Sequence, residues 1–210
     1  MGTVDRGIGS WLDDLGSRSA TPGGGAAAGV AAATGAALIA MVGHLTIDKE
    51  GFEDLGARMR SLVQTADGER VAVLALADED AAAFESVMAS FRLPKGTDEE
   101  KASRTMRIQE AYEGAAAVPL QLATRSVQLM ELAEDATAMG NPHAASDGYS
   151  AGMLLFGAAL SALANVRINA AGLKDEATRH GLVDECDTLR ARADALLIQV
   201  EEAFLLRLSN

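Results

Sequence analysis

The chain has 210 residues, which suits one domain, and we expect residues 1–210 to form a single helical domain. Its formal net charge of −12 argues against nucleic acid and anionic membrane surfaces as partners, because both are bound through Lys and Arg. Hydrophobic residues make up 49 % of the chain and aromatic residues only 4 %, so Ala, Leu, Val and Met must build the core.

This composition favours helices. Ala and Leu are strong helix formers, and no stretch alternates apolar and polar residues as a half-buried strand would. We therefore predict an all-α fold, an elongated up-and-down bundle of long helices. The single cysteine, Cys186, forms no internal disulfide, which predicts a reducing, cytoplasmic location.

Six helices are predicted in chain order, separated by turns that contain Gly or Pro. Thr97 and Glu100 form a capping box for the fourth helix, and Pro119 is expected to kink or interrupt that helix. The pair Asp67-Gly68 is expected to loosen the third helix. The predicted helices span about 7–15, 26–45, 53–91, 97–138, 145–172 and 174–208.

The most informative segment is 21–42, where Pro22 and three glycines precede a long uncharged run of small residues. Glycines expose backbone N–H groups, and the first N–H groups of a helix lack partners, so this segment suits an anionic or carbonyl-bearing ligand. Its length would suit a membrane span, but Ala and Gly contribute little transfer energy and no Lys/Arg cluster flanks it. We predict a buried helix of a soluble protein, whose remaining small-residue faces pack against a second copy in a homodimer.

An acidic residue interrupts the apolar face of the third helix. Apolar positions follow spacings of three and four, and Asp80 occupies one such position. A buried carboxylate is costly unless it is paired or used on a ligand, and burial raises its pKa, as suits a general acid or base. Alternatively, the helical phase drifts and Asp80 joins Asp78 and Glu79 on a solvated face. The apolar positions of this seam are Val73, Ala77, Phe84, Val87 and Phe91.

Two asparagines interrupt the fifth helix in the same way. Asn165 and Asn169 lie one turn apart on its apolar face, where they either fix the helix register or hydrogen-bond an amide-like heterocycle. Near the start of this helix, Asn141, Ser146 and Asp147 predict a polar pocket, although capping alone would explain one of the last two. The three histidines show no metal-ligand spacing, so no metal is predicted from them.

Seven short motifs follow one another along the chain: Thr21-Pro22-Gly23-Gly24-Gly25, Met41-Val42 with Leu45-Thr46, Asp80-Ala-Ala-Ala-Phe84, Leu93-Pro-Lys, Val118-Pro-Leu, Gly140-Asn141…Ser146-Asp147 and Asn165-Val166…Asn169. This ordered set resembles the cyclodeaminase/cyclohydrolase family, from about residue 10 to residue 205. The family comprises stand-alone methenyltetrahydrofolate cyclohydrolases and the cyclodeaminase part of formimidoyltransferase-cyclodeaminase. The resemblance implies an all-helical dimer that binds a tetrahydrofolate derivative near the glycines, with Asp80 as the catalytic residue.

The resemblance also implies which residues surround the substrate. Phe84 matches the aromatic position of the Asp80 motif, and the loop before the fifth helix would line the same pocket as Asp80. The two regions are far apart in sequence, so they would meet either through the bundle topology or across the dimer interface. Cations that could offset the anionic glutamate tail are Lys95, Lys101, Arg104 and Arg107, although charges on a helix face are more often solvated. The expected substrate-binding residues are Thr21, Pro22, Gly23, Gly24, Gly25, Phe84, Asn141, Ser146, Asp147, Asn165 and Asn169.

The sequence contains no formimidoyltransferase domain, which favours methenyltetrahydrofolate as the substrate. We expect reversible hydrolysis of 5,10-methenyltetrahydrofolate to 10-formyltetrahydrofolate in one-carbon metabolism, with Asp80 as general base and then general acid. Two alternatives remain. One is a formimidoyltetrahydrofolate cyclodeaminase, which releases ammonia, and the other is a non-catalytic folate-binding protein that keeps the helical fold.

Overall fold

The structure is a computed structural model that describes residues 2–3 and 7–209. Within these residues every regular element is a helix, which confirms the predicted all-α class. Two single 3-10 turns, Glu53–Leu55 and Pro142–Ala144, precede the third and fifth helices. The helices are α1 (Ile8–Leu15), α2 (Gly24–His44), α3 (Gly56–Phe91), α4 (Asp98–Met139), α5 (Ala145–Ala170) and α6 (Glu176–Leu208).

Helices α2 to α6 form the bundle. Each packs against the next helix along the chain, to which a short connection joins it. Short connections make neighbouring helices antiparallel. Helix α2 also packs against α5, which closes the bundle around one core that contains Ile39, Met59, Met130 and Leu155. With 36 and 42 residues, α3 and α4 are about 54 and 63 Å long, so the bundle is elongated as predicted.

The helix ends follow local sequence signals. The Glu100 backbone N–H donates to the Thr97 hydroxyl at 3.2 Å, and the Glu100 carboxylate accepts from the Thr97 N–H at 3.1 Å, so the predicted capping box is present. Asp175 caps α6 by accepting from the Thr178 N–H at 3.1 Å. Between α2 and α3, Gly51 has a φ of 83°, a left-handed conformation that glycine adopts without strain.

Small residues let α2 pack closely between α3 and α5. A Cβ added at Gly29 would lie 3.0 Å from the Cβ of Ala77 on α3, and one at Gly35 would lie 2.8 Å from Cγ of Leu155 on α5. By length and composition α2 and the segment Pro142–Ala170 could each cross a membrane, but 61 % of the most apolar part of α2 is buried within the bundle, against 44 % for the second segment. Helix α2 is thus a core helix, whereas α5 keeps an uncovered apolar face.

Helix α4 passes through Pro119 without the interruption that the sequence predicts. A proline has no N–H to offer the carbonyl four residues earlier, which here belongs to Ala115. The side-chain amide of Asn169 on α5 donates to that carbonyl instead, at 2.7 Å. A side chain from a neighbouring helix therefore satisfies the acceptor that the proline leaves free. Helix α3 likewise continues through Asp67-Gly68, where we had expected it to loosen.

Candidate active site

A cavity of about 370 Å³ lies between α3, α4 and α5, and it contains the residue that the sequence singles out. Asp80 lies in its wall, and it is the one charged group among the described residues that line the cavity. The other lining residues are apolar, aromatic or amide-bearing. They are Ala83, Phe84, Val87, Met88, Phe91, Tyr112, Ala115, Asn165, Ile168 and Asn169.

The half-buried Asp80 carboxylate lies against the first turn of α2. A Cβ added at Gly25 would lie closer than 3.0 Å to the carboxylate, so only glycine leaves room for this side chain as it stands. Burial raises the pKa of Asp80, and the backbone N–H of Ala26 opposes part of that shift by hydrogen bonding. The amino end of α2 also carries a partial positive charge, which favours the ionised form. The sequence predicts that an anionic or carbonyl-bearing ligand lies against these glycines. In the structure the Asp80 carboxylate occupies that position at Gly25.

The two asparagines of α5 line the cavity, and each uses its side-chain nitrogen in a hydrogen bond to a backbone carbonyl. Asn165 donates its amide N–H to the Ser161 carbonyl at 2.9 Å, and Asn169 donates to Ala115. Neither side-chain oxygen has a hydrogen-bond partner within residues 2–3 and 7–209. The polar part of the wall therefore consists of two amide acceptors and one carboxylate. Such a wall selects a ligand that is cationic or rich in N–H donors.

The apolar wall comes mainly from the second half of the α3 seam. Phe84 and Phe91 are 38 % and 43 % exposed and line the cavity. The sequence spacing predicts that these positions face the core, and this part of the prediction is wrong. Tyr112 of α4 meets Phe91 edge-to-face, with ring centroids 6.2 Å apart. The sequence analysis did not single out Tyr112. Its spacing from Ala115 and Pro119, three and seven residues, places all three on one face of α4 and could have identified it.

The glycine segment divides between two places. Gly23 is the residue before α2, and its carbonyl accepts the first helical hydrogen bond, from Ala27 at 3.0 Å. Gly24 follows it and faces Asn165, whose Nδ2 would lie 3.9 Å from an added Cβ. Thr21 and Pro22 instead line a separate cavity of about 190 Å³ beside Trp11. Gly24 and Gly25 are therefore the members of this motif that reach the Asp80 site.

The loop before α5 lies at the opposite end of the bundle. The Asn141 backbone N–H donates to the Thr46 hydroxyl at 2.8 Å, and its side-chain oxygen accepts from Lys49 at 2.8 Å. Asp147 and Asn165 are separated by five turns of the continuous helix α5, about 27 Å. The bundle topology therefore does not bring Asn141, Ser146 and Asp147 to the Asp80 cavity within one chain, and their meeting across a dimer interface stays a prediction.

Comparison with known proteins agrees with this description of the fold. The formiminotransferase-cyclodeaminase family matches residues 7–188. The chain is 38 % identical over 195 residues to a methenyltetrahydrofolate cyclohydrolase of Methylorubrum extorquens, covering 93 % of this chain and 94 % of that one. It is 34 % identical to the formimidoyltransferase-cyclodeaminase of Rattus norvegicus, covering 94 % of this chain and 37 % of that one.

A solved structure gives the same result. The crystal structure of a formiminotetrahydrofolate cyclodeaminase from Thermotoga maritima superposes on this chain with a TM-score of 0.86 at 29 % identity, and the match covers 96 % and 97 % of the two chains. The resemblance seen in the motifs is therefore confirmed over nearly the whole length. The chain belongs to the formiminotransferase-cyclodeaminase family, a family of enzymes.

Proposed function

We propose that this chain hydrolyses 5,10-methenyltetrahydrofolate to 10-formyltetrahydrofolate, and the reverse. The observation that carries the proposal is the cavity wall, in which Asp80 is the charged residue facing otherwise uncharged groups. The methenyl bridge is a delocalised cation, and an ionised carboxylate in a half-buried site attracts it. The cyclohydrolase of Methylorubrum extorquens, which matches this chain over 94 % of its own length, supports this choice of reaction.

The remaining wall fits the rest of such a substrate. A reduced pterin carries ring N–H and amino groups. These groups can donate hydrogen bonds to the side-chain oxygens of Asn165 and Asn169. The p-aminobenzoyl ring is flat and apolar, as are the side chains of Phe84, Val87 and Phe91. A cationic, donor-rich and partly aromatic ligand therefore matches the cavity along its length.

In the proposed mechanism Asp80 acts twice. It accepts a proton from a water molecule as the water oxygen bonds to the bridge carbon, and it then returns that proton to N5 as the carbon–N5 bond breaks. Loss of the hydroxyl proton leaves a formyl group on N10 and one proton in solution. The raised pKa of Asp80 suits both steps. A pKa closer to the working pH makes the carboxylate a better base toward water, and the carboxyl can still return the proton to N5. We propose no metal or organic cofactor, since the cationic substrate is already activated for attack.

A second reaction, the deamination of 5-formimidoyltetrahydrofolate, is favoured by one observation. The Thermotoga maritima cyclodeaminase has nearly the same length as this chain, so a chain of this size is compatible with that activity. There N10 would attack the formimino carbon and ammonia would leave, with the same carboxylate as proton carrier. The higher identity to the cyclohydrolase, 38 % against 29 %, leads us to place hydrolysis first.

Two assays on the purified protein distinguish these reactions. We expect loss of the methenyl absorbance well above the uncatalysed rate, because Asp80 supplies general acid–base catalysis worth about 10²- to 10⁴-fold. We expect little ammonia from 5-formimidoyltetrahydrofolate under the same conditions. Faster ammonia release than methenyl hydrolysis would assign the chain as a cyclodeaminase. Tight folate binding without either turnover would contradict both proposals.

We also propose that the working protein is a homodimer joined through α2 and α5. Both helices are uncharged over most of their length, with no Asp, Glu, Lys or Arg between 24 and 43 or between 148 and 166. Each leaves one stripe of uncharged residues uncovered, and a shallow groove separates the two stripes. The stripes are Ala27, Ala31, Thr34, Leu38, Met41 and Leu45 on α2, and Ser146, Ser150, Met153, Gly157, Ser161, Ala164 and Ile168 on α5.

A dimer of this kind would also account for the distant loop. Ser146 stands at one end of the α5 stripe and Ile168, which borders the Asp80 cavity, at the other. A two-fold axis perpendicular to this face exchanges its two ends. The polar loop of one copy, with its Ser146 and Asp147, would then lie beside the Asp80 cavity of the other copy. In this arrangement the residues that the family resemblance groups together meet between chains.

Replacing Gly157 with Arg tests the dimer. A Cβ at this position meets nothing within 4 Å, so the single chain tolerates the change, whereas a long cation in the stripe prevents close approach of a second copy. We expect a monomer by light scattering or sedimentation, together with lower hydrolase activity. Gly181→Arg on α6, where a Cβ is equally free, is the matched control and should remain dimeric. A dimeric Gly157→Arg variant would contradict this interface.

A further inference from the structure

We infer that Arg104 binds the glutamate carboxylates of the folate substrate at the end of the cavity remote from Asp80. The inference rests on the proposed function, because it needs a substrate that carries a glutamate. It assigns one residue of this chain to the anionic end of that substrate.

The shape of the cavity sets the two ends. Along α3 its wall runs from Asp80 to Phe91, three turns or about 16 Å. A folate bound with its methenyl carbon at Asp80 and its p-aminobenzoyl ring along Phe84 and Val87 would bring its glutamate to Phe91 and Tyr112. The negative end of the ligand therefore arrives where α3 ends and α4 begins.

Arg104 lies at this place. It is on the same face of α4 as Tyr112 and Ala115, which follow it by eight and eleven residues. It therefore lies about two turns from Tyr112, toward the amino end of α4. The Arg104 guanidinium carbon is 5.7 Å from the centroid of the Phe91 ring. Its Nη2 donates to the Phe91 carbonyl at 3.1 Å. These contacts hold the guanidinium against Phe91, the lining residue farthest along α3 from Asp80.

Arg104 also lacks a carboxylate partner among the described residues, unlike its neighbours. Lys101 pairs with Asp98 at 2.8 Å, and Arg107 pairs with Glu110 at 2.9 Å. Arg18, Arg60, Arg92 and Arg207 also lack a carboxylate partner within residues 2–3 and 7–209. Arg104 differs from them because, within these residues, its Nε is buried and has no hydrogen-bond partner of any kind.

Capping of α3 accounts for one donor of this side chain and leaves the others unexplained. A guanidinium has five N–H donors in a rigid fork, of which the Phe91 carbonyl uses one. A carboxylate can bind such a fork through two parallel hydrogen bonds. Nε is closed off from solvent, so a carboxylate ligand would bind through the two terminal nitrogens, Nη1 and the second N–H of Nη2.

The test compares two substrates and two variants. One substrate is 5,10-methenyltetrahydrofolate, and the other keeps its pterin, methenyl bridge and p-aminobenzoyl group but carries an uncharged butylamide in place of glutamate. We expect Arg104→Gln to raise KM for the first substrate about 10-fold or more, with kcat nearly unchanged, and to leave KM for the amide unaltered. Arg70→Gln makes the same charge change in an exposed ion pair with Asp67 on α3, outside the cavity lining, and should alter neither value.

The outcomes separate this inference from the proposed function. If the wild-type protein hydrolyses neither substrate, both fail. If the wild type is active and Arg104→Gln raises KM for both substrates equally, or no more than Arg70→Gln does, the function stands and the inference is overturned. If Arg104→Gln fails to fold, as judged by circular dichroism, the KM values of the wild type decide. Equal KM values for the two substrates overturn the inference, and a KM for the amide about 10-fold higher supports the inference.

Discussion

Replacing Asp80 with Asn is expected to reduce methenyl hydrolysis by about 10²- to 10⁴-fold and to leave the fold intact. Asn has nearly the same shape, so the contact with Gly25 and the first turn of α2 persists. It can neither accept a proton from water nor return one to N5, and it no longer attracts the cationic bridge. Loss of the methenyl absorbance, followed at saturating and at limiting substrate, measures the effect on kcat and on kcat/KM.

The control for this variant is Asp78→Asn, two residues earlier on α3. Asp78 is exposed and accepts hydrogen bonds from Thr3, at 2.6 Å from its hydroxyl, away from the cavity. We expect this variant to keep the wild-type rate. A wild-type rate in Asp80→Asn would remove Asp80 from the mechanism and leave the cavity as a binding site only.

The same carboxyl predicts a pH dependence in the wild type. Burial raises the pKa of Asp80, so kcat/KM should fall as the pH is lowered through a pKa above that of an ordinary aspartate. Stability depends on pH in the opposite direction from kcat/KM. The native state binds this proton more tightly than the unfolded state, so the contribution of Asp80 to unfolding free energy falls as the pH rises between the two pKa values. Asp80→Asn should therefore unfold at neutral pH no more easily than the wild type.

Much of the fold could be predicted because its signals are local. The capping box of Thr97 and Glu100 and the break at Gly51 depend on a few adjacent residues, and each is present. The placement of Asp80 also followed from helical spacing, since its neighbours Ala77 and Val87 are buried on the same face. Periodicity identified which side of α3 turns inward, and with it the residue most worth testing.

What the sequence did not predict depends on contacts between distant segments. Pro119 leaves α4 unbroken because Asn169, fifty residues later, satisfies the carbonyl that it frees. The α3 seam changes from core to cavity wall near Phe84 because α4 and α5 leave a cavity opposite its second half, and spacing alone is the same in both cases. Asn141 and Asp80 belong to one motif set yet lie at opposite ends of the bundle, which a list of motifs cannot reveal.

Gly25→Ala is expected to lower the hydrolysis rate about 10²-fold with little loss of stability. The added Cβ would occupy the position of the Asp80 carboxylate, and the carboxylate, as the end of a side chain, can rotate away from it. A small displacement of a catalytic group costs about this factor in rate. The unfolding free energy changes less, because the strain of about 1 kcal/mol or more is offset by the gain of about 1 kcal/mol when Ala replaces Gly in a helix.

Two comparisons isolate the cause of this loss. Gly68→Ala on α3, where a Cβ meets nothing within 4 Å, gains the same helix propensity and should keep its full rate. In the double variant with Asp80→Asn, Gly25→Ala should cause no further loss, because both changes act on one carboxylate and their effects do not add. An additive loss in the double variant would mean that the added Cβ obstructs something other than the Asp80 carboxylate, such as the substrate itself. A full rate in the single variant would show that Asp80 does not need its observed position to act.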